Sequence, residues 1–206
     1  LHGYKSSGMK SFAPIAPFYL ERGLDLLLLD SRAHGDSQGG FIGMGVLESR
    51  DLLAWVDWAI RRRGEGTPIY LHGMSMGAAA TLMAASRLPS QVKGLIGDSG
   101  FSTSLGMARL RARVMMPGWM WNLFGPVSLW WVKKLCRWKA GYGLEEGAAP
   151  ASLAQSRIPT LLIHGEEDQV VPLSMCLENR EACAAPCRLL VVPGCGHVQA
   201  YLKDPQ

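Results

Sequence analysis

The sequence lacks the cysteine and glycosylation patterns that mark several classes of protein. Its five cysteines are odd in number, and no two of them are spaced C-x-x-C, which argues against a disulfide framework and against a zinc site. It has no Asn-x-Ser/Thr glycosylation signal. These absences favour a reducing compartment, and we expect a cytoplasmic protein. Because the chain begins at Leu1 rather than at methionine, the absence of a signal peptide carries no information about targeting.

Acidic residues are missing from one long stretch of the chain. Between Ser99 and Leu144 there is no Asp or Glu, whereas Lys and Arg together number seven, so that 14 basic residues face 17 acidic ones in the remainder. The formal net charge of +4 is therefore the property of one segment. A local basic segment of this kind does not predict a nucleic-acid partner for the whole domain.

Nucleotide-binding fingerprints are absent as well. Residues 3–11 resemble the phosphate loop GxxxxGK[ST], but Met9 stands where the lysine must follow the glycine. Residues 40–45 follow a turn rather than a strand, and their glycines do not form GxGxxG. The sequence therefore predicts no cofactor, and it predicts no metal either.

Short apolar runs that end in turn residues alternate with helical patterns along the chain. Runs that are apolar throughout are typical of strands buried on both faces of a parallel sheet. One helix is predicted around residues 52–60, because the spacing there is that of one buried face, made of Leu52, Trp55, Val56, Ala59 and Ile60. Another is predicted from Pro172 to about Ala184, because proline is favoured at the first helical position. The 206 residues, 48% of them apolar, thus predict one α/β doubly wound domain. The five predicted strands are Leu24–Leu29, Pro68–Leu71, Val92–Ile96, Thr160–Ile163 and Arg188–Val192.

One segment interrupts this alternation. Residues 104–155 contain no clear strand but five of the seven tryptophans. Val114–Val132 is nearly apolar enough for a membrane span, but proline and glycine residues interrupt it. We interpret residues 104–155 as a helical cap inserted into a core made of residues 1–103 and 156–206.

Ser75 stands at the centre of Gly73-Met-Ser-Met-Gly77, between an apolar run and a helix predicted from Ala78 onward. Strand, G-x-S-x-G and helix in this order are typical of a nucleophile elbow. The same five residues are also compatible with a glycine turn in which the serine only caps a helix. The pentapeptide alone leaves both interpretations open.

A nucleophilic serine requires a histidine base and an acid that orients it, which follow the serine in this architecture. Of the histidines after Ser75, His164 ends a strand and is expected to pack there, whereas His197 follows a strand and a Gly-Cys-Gly loop. His197 is therefore the predicted base. Asp168, in the preceding strand-end loop, is the predicted acid, and Asp98 is the competing candidate. The two glutamates before Asp168 are interpreted as solvated loop charges.

An acyl-transfer site also needs two backbone N–H donors for the oxyanion. One is expected from Met76, directly after the nucleophile. The other is expected from Tyr4, because His2 and Gly3 are predicted to end a strand beside it. The predicted oxyanion hole therefore consists of the Tyr4 and Met76 amides.

Five ordered motifs resemble a known family. They are "HGYKSSG", "LDSRAHGDSQG", "LHGMSMGAA", "HGEEDQVVP" and "GCGH". Together they resemble an α/β-hydrolase of the Bem46-like/YqkD-like bacterial group, near cephalosporin-deacetylase and dienelactone-hydrolase relatives, over the whole chain outside the cap. The resemblance implies the α/β-hydrolase fold, a mostly parallel sheet with helices on both faces and a helical cap insertion. It also makes Asp30, His34 and Asp36 parts of a structural turn rather than catalytic residues.

In that family, further strands precede the first motif, and the last helix continues beyond the equivalent of Gln206. We therefore expect a fragment that lacks the N-terminal strands. Alone, such a polypeptide would expose unpaired strand edges and tend to aggregate.

The tryptophan-rich basic cap has three interpretations. It is a packed lid with solvated cations, or an apolar mouth for an acyl group formed by Met115, Met116, Trp119 and Trp121, or a helix that makes a peripheral contact with an anionic membrane. The second and third interpretations are compatible. The third would make the protein membrane-associated.

The sequence thus predicts a serine hydrolase that cleaves small-molecule carboxylic esters, thioesters or lipid-like esters through an acyl-enzyme. Ser75 is the predicted nucleophile, His197 the base and Asp168 the orienting acid. One alternative is a serine peptidase or amidase of the prolyl-oligopeptidase type. Another is a non-catalytic binding protein that has kept the fold. The pattern specifies neither the acyl group, nor the alcohol, nor the oligomeric state.

Overall fold

Four parallel strands form the sheet at the centre of the computed structural model, which describes residues 1–203. They pair in chain order, each parallel to the next: β1 (Ile69–Met74), β2 (Val92–Asp98), β3 (Thr160–Gly165) and β4 (Cys187–Val192). Each of these strands contains or overlaps one of the predicted apolar runs, so four of the five strand predictions are confirmed. Because the strands are parallel, their carboxyl ends meet at one edge of the sheet, and the candidate site lies at that edge.

The remaining strand prediction, for Leu24–Leu29, is wrong. Residues 24–29 belong to no strand, because they form no ladder of backbone hydrogen bonds with another described strand. Leu24 and Leu27 are exposed, whereas Leu29 is buried in the core. The strand that was expected to end at His2 is also not present, although Leu1 forms hydrogen bonds with β1. The Leu1 amino group donates to the His72 carbonyl at 2.6 Å, and the Leu1 carbonyl accepts from the Met74 N–H at 2.9 Å.

The helices that cover the sheet follow the predicted patterns. In α3 (Val46–Arg63), Leu52, Val56 and Ile60 are buried on one side, as their spacing predicts. The prediction is wrong for Trp55, which is exposed. The helix ends at Gly64, whose φ of 99° is accessible chiefly to glycine and whose N–H donates to the Ile60 carbonyl. The helix predicted from Pro172 begins one residue later, as α8 (Leu173–Ala182), because the ψ of 140° at Pro172 is that of a cap residue.

The remaining helices are short, apart from those in the predicted cap. They include α1 (Gly8–Phe12), α2 (Ala16–Leu20), α4 (Met76–Ala84) with a 3₁₀ turn at Ala85–Arg87, and α9 (Ala200–Lys203). The predicted cap segment carries α5 (Ser104–Met115), α6 (Gly118–Leu135), a π-helical turn at Cys136–Ala140, a 3₁₀ turn at Leu144–Glu146 and α7 (Ala149–Leu153).

The two ends of the predicted cap segment are tied to the rest of the molecule. Ala149 and Leu153 of α7 are buried in the main hydrophobic core, together with residues of α3, α4, β2 and β3. At the other end, the Ser104 hydroxyl donates to the Met44 carbonyl at 2.7 Å. Among residues 1–203, no helix has both the length and the apolarity that crossing a bilayer requires.

Helix α4 lies unusually close to the segments around it. Ala78, Ala79 and Ala80 are completely buried, and a Cβ placed on Gly77 would lie 2.3 Å from the Leu1 carbonyl oxygen. A backbone atom cannot move aside as the end of a side chain can, so only glycine fits at this position. The start of α4 is therefore fixed against the N-terminal loop.

We predict that Gly77→Ala lowers the free energy of unfolding by about 3 kcal/mol, the upper part of the range for overpacked sites. The matched control is Gly66→Ala, because a Cβ at Gly66 meets nothing within 4 Å, and it should change stability by no more than about 0.5 kcal/mol. Urea unfolding of the two variants measures the difference. Equal stability of the two variants would contradict the close contact at Gly77.

Candidate active site

Ser75 occupies the turn between β1 and α4 in a strained backbone conformation. Its φ of 53° and ψ of −116° lie in a region that residues with a side chain rarely adopt. The turn is held by its backbone, since the Ser75 N–H donates to the Asp98 carbonyl at 2.7 Å and the Ser75 carbonyl accepts from the Ala79 N–H at 3.0 Å. A Cβ on Gly73 would lie 2.3 Å from the Gly77 carbonyl oxygen, so this flanking position also requires glycine.

The Ser75 hydroxyl does not cap the helix. The side chain makes no capping hydrogen bond with the start of α4, although Ser75 stands at the cap position. Instead, Oγ lies 2.8 Å from Nε2 of His197. The geometry therefore disfavours the interpretation of Ser75 as a mere helix cap.

His197 lies between Ser75 and Asp168 in a continuous line of hydrogen bonds. Its Nδ1 is 2.7 Å from Oδ2 of Asp168, and its side chain is 21% exposed, whereas that of Asp168 is fully buried. A carboxylate only accepts hydrogen bonds, so Nδ1 carries the proton in the neutral imidazole and Nε2 is free to accept from the Ser75 hydroxyl. This arrangement makes His197 a proton acceptor for the serine.

Asp168 is held as an ionised carboxylate. Burial by itself would raise its pKa, but the hydrogen bond with His197 and those from the backbone N–H groups of Val171 and Val170 together bring the pKa below its ordinary value. The neighbouring Glu166 and Glu167 are exposed, as the sequence predicts for loop charges.

His164 packs at the end of β3, as predicted. It is completely buried, and its Nε2 lies 2.9 Å from the Val171 carbonyl oxygen and 3.4 Å from Oδ2 of Asp168. Burial lowers the pKa of His164, so the ring is neutral beside the Asp168 carboxylate. It therefore forms part of the wall behind Asp168 and does not reach Ser75 in a hydrogen bond.

Asp98, the competing acid, makes no hydrogen bond with His197 in the described structure. Its carboxylate accepts from the Ser99 hydroxyl at 3.0 Å, and the same hydroxyl accepts from the Val198 N–H at 3.1 Å. Ser99 thus joins the end of β2 to the loop that carries His197. Sequence reasoning missed Ser99, although its position directly after a strand-end aspartate was a signal.

The residue before Tyr4, one of the two predicted oxyanion donors, lies against Ser75. A Cβ on Gly3 would be 3.2 Å from Cβ and 3.7 Å from Oγ of Ser75. Met76 is the first residue of α4, so its N–H has no partner within the helix. The positive end of the helix dipole at this point favours negative charge.

The turn that contains Asp30, His34 and Asp36 holds the loop from Tyr4 to Gly8. The Lys5 N–H donates to Nε2 of His34 at 3.0 Å, and the Gly8 N–H donates to Oδ1 of Asp30 at 2.7 Å. The Asp36 N–H donates to Oδ2 of the same Asp30. The sequence indicated a structural role for these residues, but only the fold reveals that they hold the Tyr4–Gly8 loop.

The cap residues predicted to bind substrate differ in their exposure. Met115 and Trp119 are exposed, whereas Met116 and Trp121 are half-buried, and the Trp121 ring lies against Gly125 of its own helix.

In the part of the chain that the structure describes, no group of three His, Cys, Asp or Glu side chains is arranged to hold a metal ion. All five cysteines are free thiols.

Comparison with known proteins assigns the chain to a family. A family model described as "Alpha/beta hydrolase family" matches residues 1–206. The protein YqkD of Bacillus subtilis is 27% identical over 189 residues, which are 90% of this chain and 60% of YqkD. YfhR of Escherichia coli is 26% identical over 207 residues, which are 98% of this chain and 63% of YfhR. The chain therefore spans less than two thirds of the length of these relatives.

The fold is also that of solved structures. An esterase of Pyrococcus furiosus matches with a TM-score of 0.68 and 25% sequence identity, over 100% of this chain and 75% of the esterase. The chain thus has the α/β-hydrolase fold that the motifs predicted.

We predict that Asp98→Asn stabilises the protein more at pH 8 than near pH 4. Burial raises the pKa of Asp98 to about 6, so the folded state holds this proton more tightly than the unfolded chain does. The stability that protonation provides is present at low pH and is lost as the pH rises from about 4 through about 6. An asparagine, which does not ionise, should gain on the order of 2 kcal/mol at pH 8.

Urea unfolding at pH 8 and near pH 4 measures this gain, and Glu167→Gln, which removes an exposed carboxylate nearby, is the control. A gain for Asp98→Asn that is equal at the two pH values would contradict the raised pKa.

Proposed function

We propose that this chain, which belongs to the alpha/beta hydrolase family, is a serine hydrolase that cleaves carboxylic esters through a covalent acyl-enzyme. The observation that carries the proposal is the line of hydrogen bonds from Ser75 through His197 to Asp168. A serine hydroxyl becomes an effective nucleophile when an oriented histidine accepts its proton. The esterase of Pyrococcus furiosus, which shares this fold, supports an ester rather than an amide as the substrate bond.

In the proposed reaction, Oγ of Ser75 attacks the ester carbonyl carbon while Nε2 of His197 takes the hydroxyl proton. The carbonyl oxygen becomes an oxyanion that accepts hydrogen bonds from the backbone N–H groups of Tyr4 and Met76. The Asp168 carboxylate stabilises the imidazolium that forms. The ester C–O bond then breaks, His197 returns its proton to the departing alkoxide, and the alcohol leaves an acyl group on Ser75.

Hydrolysis of the acyl-enzyme repeats these roles with water as the nucleophile. His197 takes a proton from the water as its oxygen attacks the acyl carbon, and the same two N–H groups receive the second oxyanion. His197 then returns the proton to Oγ of Ser75 as the bond to the acyl carbon breaks. The carboxylic acid is released, and the original protonation state is restored.

The acyl group would require an apolar wall, and the cap supplies the candidates. The predicted residues are Met116 and Trp121, which are half-buried, and Met115 and Trp119, which are exposed. Thioesters and lipid-like esters are further substrates within the proposal, since both present the same acyl carbon to the nucleophile.

The turnover of an activated ester tests the function. We expect the protein to hydrolyse p-nitrophenyl acetate, and we expect Ser75→Ala to lose the turnover while Ser90→Ala, which removes an exposed serine hydroxyl, retains it. Turnover of peptide anilides in preference to esters would favour the peptidase or amidase alternative. Turnover that survives in Ser75→Ala would contradict the assignment of the nucleophile.

The same assay tests the acid. Asp168→Asn should lower kcat by roughly 10³- to 10⁴-fold, because the amide favours the wrong imidazole tautomer and no longer stabilises the imidazolium. Glu167→Gln removes the adjacent exposed carboxylate and should leave kcat unchanged. A loss of activity in Glu167→Gln as large as that in Asp168→Asn would contradict the assignment of the acid.

A further inference from the structure

Helix α6 presents an apolar side to solvent. Five of its exposed apolar side chains lie three or four residues apart and therefore share one side of the helix, while Phe124, Val132 and Leu135 add exposed apolar surface beside them. Each of the five is between 50% and 68% exposed. We call this set the tryptophan face, and it consists of Trp119, Leu123, Val127, Trp130 and Trp131. The buried residues Gly125 and Leu129 lie on the other side of the helix. A helix that merely packs on the domain would place polar residues where the tryptophan face lies.

The exposed apolar surface continues in the chain on both sides of α6. Val114 and Met115 precede the helix, Trp138 follows it, and all three are largely exposed. Contiguous apolar surface on this scale marks an interaction site rather than an ordinary protein surface. A helix of 18 residues is about 27 Å long, so the face is an extended strip.

Lysines lie on two rings of the exposed apolar surface, and further cations lie on the preceding helix. The Lys134 ammonium lies 5.6 Å from the centre of the Trp130 ring, and the Lys139 ammonium lies 4.1 Å from that of Trp138. On α5, Arg109, Arg111 and Arg113 are exposed and take part in no ion pair within residues 1–203. The partner of this surface must therefore combine an apolar interior with negative charge at its boundary.

The geometry points to an anionic lipid bilayer as that partner, and we propose that α6 lies in the plane of the membrane interface with the tryptophan face toward the acyl chains. Tryptophan is favoured at the depth of the headgroups, and neighbouring lysine and arginine residues attract anionic lipids. α6 does not have the length and apolarity needed to span a bilayer, so it would lie on the membrane.

The charge pattern argues against a second copy of the chain as the partner. Glu145 pairs with Lys133 and Arg137, but Lys134, Lys139 and the three arginines of α5 take part in no ion pair within residues 1–203. Two copies joined through the tryptophan face would bring these unpaired cations close together. A bilayer containing acidic lipids supplies the opposite charge. The proposal concerns a binding partner and does not depend on the proposed esterase activity.

Sedimentation with lipid vesicles tests the proposal. The full chain should sediment with vesicles of phosphatidylcholine and phosphatidylserine, much less with phosphatidylcholine alone, and less as the salt concentration rises. Trp130→Ser/Trp131→Ser should weaken partitioning at least about tenfold for each tryptophan, because each ring would bury apolar area in the membrane.

The matched control is Trp55→Ser/Trp58→Ser. These two tryptophans are also exposed and also form an edge-to-face pair, with ring centres 5.8 Å apart against 4.9 Å for Trp130 and Trp131, but they lie on α3. This variant should partition like the wild type. Near-ultraviolet circular dichroism and urea unfolding establish that both double variants are folded.

A second pair of variants separates local charge from net charge. Lys134→Gln/Lys139→Gln should weaken binding to the phosphatidylserine vesicles by roughly fivefold for each lysine. Arg62→Gln/Lys93→Gln removes the same net charge from exposed positions on α3 and β2 and should have a much smaller effect.

Three results would overturn the proposal. They are equal sedimentation with both kinds of vesicle, sedimentation with neither, and equal weakening by the two tryptophan double variants. A dimer that forms at high protein concentration and is lost in Trp130→Ser/Trp131→Ser, without vesicle binding, would assign the face to a second copy instead. Ser75→Ala should sediment like the wild type, so a failure of the esterase proposal leaves this test intact.

Discussion

Close contact between backbone segments, without side chains between them, determines the geometry of the candidate site. The end of β1, the start of α4 and the loop from Leu1 to Tyr4 meet at Gly73 and Gly77, where a Cβ on either glycine would lie 2.3 Å from a backbone oxygen. This contact forces Ser75 into its strained conformation and brings Gly3 against its side chain. The nucleophile candidate and the segments that carry the two predicted N–H donors therefore depend on the same constraint.

The other groups reach this point from the carboxyl edge of the sheet. Asp168 follows β3 and His197 follows β4, so the order of the strands brings the acid and the base together although 29 positions separate them. Ser99 fixes the His197 loop to the end of β2, and Asp30 and His34 fix the Tyr4–Gly8 loop. The loops that carry His197 and Tyr4 are thus each held by hydrogen bonds from another part of the fold.

The sequence predicts the features that depend only on short stretches of the chain. The apolar runs of the four strands, the buried side of α3 and the glycines around Ser75 each reflect local physical demands, and each is present in the structure. Residues 24–29 are predicted as a strand because they form a short apolar run. A strand also requires another strand to pair with, and no local pattern contains that information. The role of Ser99 and the contact between His34 and Lys5 were not predicted for a related reason, since each is a hydrogen bond between distant loops. The exposure of the tryptophan face was equally hidden, because periodicity alone does not distinguish an apolar side that packs from one that faces solvent.

The central claim is that this backbone geometry makes Ser75 a nucleophile through His197. The most direct measurement is to react the protein with a fluorophosphonate and to locate the adduct by peptide mass spectrometry. The account predicts a single phosphonylated serine at Ser75, formed rapidly in the folded wild type and much more slowly in His197→Ala. An adduct at another serine, or one at Ser75 that forms equally fast without His197, would contradict it.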